Sequence, residues 1–355
     1  MTNCNSFNRL STSIECMRFP LMLSIIFIHA YIALPLHGYT LYYRAIYPFA
    51  LWFGETGVPG FFFISGLWFF YSSKSYTVKI RDRIHTLVIP YFIWNTILLS
   101  AFVILFFLGY HRVILLGKGI ADYGFVDYLR AFWDRGDFDG GNFKPLYPPM
   151  WYLRNLMMLC LLSPIIKIII QKTGLLLPLI TGIIWCFTYH EGLICESISA
   201  FSLGAFFPIK KINLVDVLDR YKITVTIIFV ALAISDYLTH SIIPFPHCLQ
   251  VHRLAVFANI LYIPIVGSFL LKHHLYSKSL SQMTFFIYCI HLPFVTMIRK
   301  PLLQYHDLSN MTHIILYFVS VLLITLICIS IYRLLEKWAS PLMNMVTGSR
   351  KRIKL

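Results

Sequence analysis

A few ionisable side chains stand out in long apolar surroundings: His29 and His291, Arg18, Arg81 and Arg83, and Glu55. Imidazole titrates near neutral pH, which suits it to take a proton from a hydroxyl. Guanidinium is a planar fork that matches the oxygens of a phosphate. Arg18 and His29 are eleven residues apart at the start of the first apolar run, CMRFPLMLSIIFIHAYIALPL. Eleven helical steps come to about 1100°, roughly 20° past three full turns, so both side chains share one stripe about 16 Å apart along the axis. A cation near a membrane surface with a titratable ring deeper on the same stripe fits a ligand lying along the helix. Its anionic end would sit at the arginine.

Glu55, in ETGVPGFFFISG, is an acid inside the second apolar run. An ionisable group there is costly and should face a cavity or a partner. Glycines 54, 57, 60 and 66 of the same stretch read as sites of close helix packing. Arg81 and Arg83 flank Asp82 just before the third run. In an extended lead-in, residues i and i+2 point the same way and could grip one phosphate; in a regular helix they would diverge. Taken alone, the cluster reads equally well as a charged stop after a span. MWYLRNL carries Trp151, Arg154 and Asn155, with Arg154 read as an edge anchor whose stem snorkels. IYCIHLPF carries Tyr288 and His291. One histidine in an apolar run is usually a satisfied core residue, but two with an acid in one bundle point to function.

The elements that must position these groups are membrane helices. The chain has 355 residues, 58% hydrophobic and 13% charged, with mean hydropathy +0.71. A soluble domain carries about 25% charge. Ten apolar runs approach the ~20 residues of a span: 17–36, 46–71, 86–109, 150–170, 174–190, 192–208, 222–240, 253–271, 281–298 and 313–334. Pro20 is expected near the start of the first helix, where its missing N–H costs little. The polar N-terminal stretch lacks a small-residue cleavage site, so the first run is expected to be a permanent span. With the N-terminus inside, twenty Lys and Arg fall on the inner side and ten on the outer. That bias predicts an all-α bundle of ten spans with both ends cytoplasmic. Residues 1–340 are expected to form one transmembrane domain, and 341–355 a basic cytoplasmic tail at the lipid surface. The Asp-, Gly- and Pro-rich segment 110–149 reads as an outer loop, either a lid or a solvated connector. The turn His190-Glu191-Gly192 divides the two shortest runs. The net charge of +15 sits in loops and forms no aromatic-basic stripe, so nucleic acid is not a partner. No CxxC occurs among the eight cysteines, and no metal centre is expected. Cys195 and Cys248 could meet in a disulfide; buried inert thiols are the simpler reading.

The combination resembles the integral-membrane acyltransferase family 3, bacterial O-acyltransferases that decorate surface polysaccharides and other envelope glycans. The resemblance rests on Arg18 and His29 with ten residues between, on FFFISG at 61–66, and on Arg81-x-Arg83 followed by PYFIWN. WYLRNL at 151–156 and YCIHLPF at 288–294 complete it, in family order from residue 14 to about 335. It implies a ten-span fold in the inner membrane and cytoplasmic acyl-CoA, usually acetyl-CoA, as donor. It implies a glycan or lipid-linked saccharide hydroxyl as acceptor. Arg18, Arg81 and Arg83 would then hold the CoA phosphates, and His29 would act as general base or transient acyl carrier. Glu55 would orient His29 or neutralise the site, and His291, Arg154 and Trp151 would contact the acceptor. Some members carry a fused C-terminal esterase-like domain; without one, this chain is expected to work alone or with a partner. The competing readings are a transporter or flippase for lipid-linked sugars and a non-catalytic membrane subunit. Oligomeric state is left open.

Overall fold

An apolar run in lipid can satisfy its own backbone only as a helix or in a closed barrel, and these runs are helices. The computed structural model describes residues 2–32, 40–110, 114–115, 118–134, 144–188, 192–242, 248–302 and 308–348. The His190-Glu191-Gly192 turn, most of DFDGGNF and the basic end SRKRIKL lie largely outside the described residues. Helix α1 is Thr2–Ala30. Then come α2 (Thr40–Gly54), α3 (Gly57–Tyr71), α4 (Tyr76–Arg83) and α5 (Ile89–Phe107). The excursion holds the short α6 (Phe125–Ala131), followed by α7 (Trp151–Leu161), α8 (Ser163–Thr173), α9 (Leu176–Phe187) and α10 (Gly192–Ile209). The remainder is α11 (Leu214–Arg220), α12 (Lys222–Ile242), α13 (Leu249–Lys272), α14 (Lys278–Leu302), α15 (Asn310–Trp338) and α16 (Ser340–Thr347).

Six of these stretches are long and apolar enough to cross a membrane, or eight if two bent pairs each count as one. The pairs are the α7–α8 segment, bent by 66°, and the α10–α11 segment, bent by 98°. The count falls short of ten partly because the run at 46–71 is two helices broken at Glu55-Thr56, and α9 is short. Exposed Phe92, Ile97, Phe107, Ile227, Ile234 and Leu322 give α5, α12 and α15 apolar outer faces. Such faces belong against lipid.

Helix α1 is the hub, packed against α2, α3, α13, α14 and α15. It begins well before the expected residue 17, so Pro20 lies inside the helix and not at its start. Pro20 removes one backbone hydrogen bond there. Close contacts use small residues, because lipid is as apolar as the helix faces and backbones must approach to gain packing. A methyl added at Gly66 would lie 2.0 Å from the Phe201 carbonyl oxygen, and one at Gly204 2.0 Å from that of Phe63. The α3–α10 pair is therefore locked reciprocally. A methyl at Gly267 would meet the Ser13 carbonyl at 2.0 Å, so α13 leans equally hard on α1.

The excursion is neither a plain lid nor a solvated connector. Its return limb enters the bundle: Leu146, Tyr147 and Met150 are buried. The Leu146 N–H donates to the Ala131 carbonyl at 2.7 Å, and the Tyr147 N–H donates to the buried Asn95 side-chain oxygen at 3.0 Å. The expected tail at 341–355 also starts differently. Residues 340–347 form α16, which receives the Trp94 indole N–H on the Val346 carbonyl at 3.1 Å. Gly348, with φ +74°, ends α16 in the left-handed region that glycine enters freely.

Candidate active site

His29 is the penultimate residue of α1, and its half-buried ring packs inward. It meets the ring of His291 at a centroid distance of 5.3 Å and a tilt of 34°. His291 is fully buried on α14. Its Nδ1 lies 2.7 Å from the Tyr288 carbonyl oxygen, so Nδ1–H is the donor and Nε2 of the neutral ring carries the lone pair. That Nε2 has no hydrogen-bond partner. The sequence put the two imidazoles 262 positions apart; the packing of α14 on α1 makes them one site.

Aromatic side chains from three separate motifs wall this site. Tyr288 packs on Tyr152 at 5.8 Å, and Tyr152 on Phe62 at 4.6 Å. Half-buried Trp151 lies 6.0 Å from Phe62. The Tyr152 and Ser65 hydroxyls are 3.3 Å apart. Thus FFFISG, WYLRNL and YCIHLPF meet beside His29. The return limb closes the far side: the Tyr147 hydroxyl donates to the Cys289 carbonyl at 2.5 Å, and the Tyr288 hydroxyl donates to the Pro149 carbonyl. Sequence reading missed Tyr147 and Pro149, because a Pro-rich segment signals a loop and not its destination.

The three arginines expected to hold the phosphates stand on two elements, Arg18 on α1 and Arg81 and Arg83 on α4. Arg18 lies at the α13–α14 turn, near Glu15 and Tyr276. There the Ser281 hydroxyl donates to the Glu15 carbonyl at 3.0 Å. Burial and the Glu15 carboxylate push the Tyr276 phenol up to about 12. Arg81 and Arg83 stand on the helix α4, not on an extended lead-in, so about 200° separates them. Arg81 is exposed. Arg83 covers the Phe69 ring at 5.9 Å and reaches toward the Cys160 thiol. Lys79 covers the same ring at 5.1 Å and feels the charges of Arg83 and Lys167. Asp82 is engaged by Lys74 at 2.5 Å. The cationic cluster is therefore Lys79, Arg83 and Lys167. Neither lysine was legible as a site residue, since each reads as a topology charge.

Arg154 is not a snorkelling edge anchor. It is fully buried. Its guanidinium donates to the Trp133 carbonyl at 2.6 Å and to the Asn155 side-chain oxygen at 3.0 Å, and it covers the Trp133 ring at 5.5 Å. The inserted excursion supplies Trp133, and α7 itself supplies Asn155. Glu55, expected to orient His29, bonds elsewhere: its Oε2 lies 2.9 Å from His252 Nε2. Gly54 presses on Ile28 of α1, but the next residue turns to α13. Cys195 and Cys248 are not joined in a disulfide.

Residues 11–333 match a family model described as an acyltransferase domain, acyltransferase family 3. No curated protein and no solved structure matches the chain.

Proposed function

The chain belongs to acyltransferase family 3, and on that premise we propose that it is a membrane O-acyltransferase of the bacterial inner membrane, carrying an acyl group from acyl-CoA to a glycan hydroxyl. The acyl group is acetyl, and the acceptor is a surface polysaccharide or a lipid-linked saccharide. One observation carries the reading: the His29–His291 ring pair inside walls made by three motif blocks.

In this reading His29 is the general base. It takes the acceptor hydroxyl proton as that oxygen attacks the thioester carbonyl; the C–S bond then breaks and CoA leaves as the thiolate. His291 holds its Nδ1–H on a backbone carbonyl and offers Nε2 to the acceptor. Trp151 and Tyr152 supply flat faces of the kind sugar rings stack on. Lys79, Arg83 and Lys167 receive the donor phosphates, with Arg81 at the cluster's exposed edge and Arg18 farther along α1. Arg154 acts by holding the wall of the site in place. Ten crossings with both ends cytoplasmic remain the proposed topology, supported by the twenty-to-ten bias of basic residues.

Mass spectrometry of the surface glycan, with and without the gene, tests the reading. An acyl mass lost with the gene and restored by the wild-type chain is the expected result. Loss of the glycan itself would point to export instead. His29→Ala is expected to cut transfer by about 10² to 10⁴, the range for a removed general base, at unchanged protein level. A fully active His29→Ala would overturn the assignment. Arg83→Ala is expected to raise the apparent donor KM by about tenfold, the loss of one charge-assisted hydrogen bond. Arg81→Ala should raise it less.

A further inference from the structure

Asp236 and His240 stand one turn apart on α12, and His252 faces them from α13. Their side chains are at most 1% exposed. His252 Nδ1 lies 3.0 Å from Asp236 Oδ2, and His240 Nδ1 lies 3.0 Å from Asp236 Oδ1. One donor atom from each residue falls within 4.8 Å of the others. The two rings meet edge to face at 5.2 Å. His252 Nε2 is held by Glu55 Oε2 at 2.9 Å. His240 Nε2 has no hydrogen-bond partner, and Asp236 Oδ1 has none beyond its approach to His240 Nδ1, which bonds the Asp236 backbone carbonyl at 3.0 Å.

A carboxylate and two imidazoles form the mixed oxygen–nitrogen set that holds first-row divalent cations. The i,i+4 spacing puts Asp236 and His240 on one face of α12. A carboxylate on the far nitrogen of a ligating histidine is the usual outer partner that orients it, which is where Glu55 stands. Charge supports the same reading. Asp236 is a buried carboxylate faced by two imidazoles, and a divalent cation bound there offsets its charge. Unpaired buried charge in a membrane bundle is otherwise very costly.

We propose that Asp236, His240 and His252 form a structural divalent-cation site of the zinc class, with Glu55 orienting His252. The assignment reverses the expectation of no metal and does not rest on the acyltransferase reading. Its physical task is plain: α12 is the least buried of the six long apolar stretches. A metal clip ties it to α13 and, through Glu55, to the break between α2 and α3.

The test uses the full chain, purified in detergent with a tag free of histidine and measured by elemental mass spectrometry. About one zinc per chain is expected in the wild type, falling to background in Asp236→Asn and His240→Gln. Should those variants fold poorly, the wild type alone decides. Chelation followed by zinc is expected to lower and then restore the melting temperature by about 5 °C, and cobalt in place of zinc should give a visible absorption band. Metal equal in wild type and variants would mean adventitious binding and overturn the proposal. So would a wild type with no metal, no zinc-dependent melting and no cobalt band; that result would assign the cluster to a proton shared among its carboxylates and imidazoles.

Discussion

At the scale of single residues, burial separates groups that look alike in the sequence. Arg154 and Arg83 are both arginines near helix ends, yet one is wholly enclosed and the other half-open. Replacing Arg154 by methionine removes its hydrogen bonds to the Trp133 carbonyl and the Asn155 side chain. Hydrogen bonds made by a charged group contribute roughly 1.5–3 kcal/mol each, so the thermal unfolding temperature should fall by several degrees. Lysine cannot rescue it, because a single ammonium cannot span both acceptors as the guanidinium fork does. An Arg154→Lys variant with wild-type melting would refute that role. His29 was legible because its spacing from Arg18 puts both on one stripe. His291 was legible only as a second intramembrane imidazole. That the two rings touch could not be read from either run.

Elements show where local pattern stops informing. The glycines of the second run were read as packing sites, and Gly66 is one: its missing side chain lets α10 approach to backbone contact. Its counterpart Gly204 sits in a run that carries no such cluster of glycines and was not singled out. Gly66→Ala and Gly204→Ala each force a methyl into a carbonyl oxygen, and overpacking of that kind costs about 1–3 kcal/mol. Both variants should accumulate poorly in the membrane, as measured by quantitative immunoblotting, while Gly124→Ala should accumulate normally because its added methyl meets only the Asp127 carboxylate, at an ordinary 3.8 Å. The return limb makes the opposite lesson. Tyr147→Phe keeps the ring and loses the hydrogen bond to the Cys289 carbonyl. It is expected to lower kcat several-fold with donor KM unchanged, since the limb shapes the wall beside His291 and lies away from the cationic cluster. An altered donor KM with normal kcat would contradict that division.

The whole molecule is a bundle arranged around α1, and its two candidate functional regions are assembled from distant parts of the chain. The imidazole site draws on α1, α3, α7 and α14; the cationic cluster draws on α4 and α8. In the proposed topology Arg83 faces the cytoplasm and Trp133 the other side. Of single cysteines placed at Ser73 and at Tyr110, the one at Tyr110 should then react with a membrane-impermeant thiol reagent added to intact cells, and the one at Ser73 only after the membrane is permeabilised. Labelling of both in intact cells would break the ten-span scheme, and labelling at Ser73 alone would invert it.

What the sequence determined by itself was the class of molecule and its chemical inventory. Apolar length dictates helices in lipid, basic residues bias their orientation, and imidazoles and guanidiniums in apolar runs announce chemistry wherever they end up. Family motifs could be recognised for the same reason, since each block is contiguous. Tertiary structure alone decided the pairings: His29 with His291, Glu55 with His252, Arg154 with the re-entering excursion, Lys79 with Lys167. Each depends on which helices touch and how each is rotated. A periodicity shows which face of a helix is apolar but carries no record of the neighbour that will cover it.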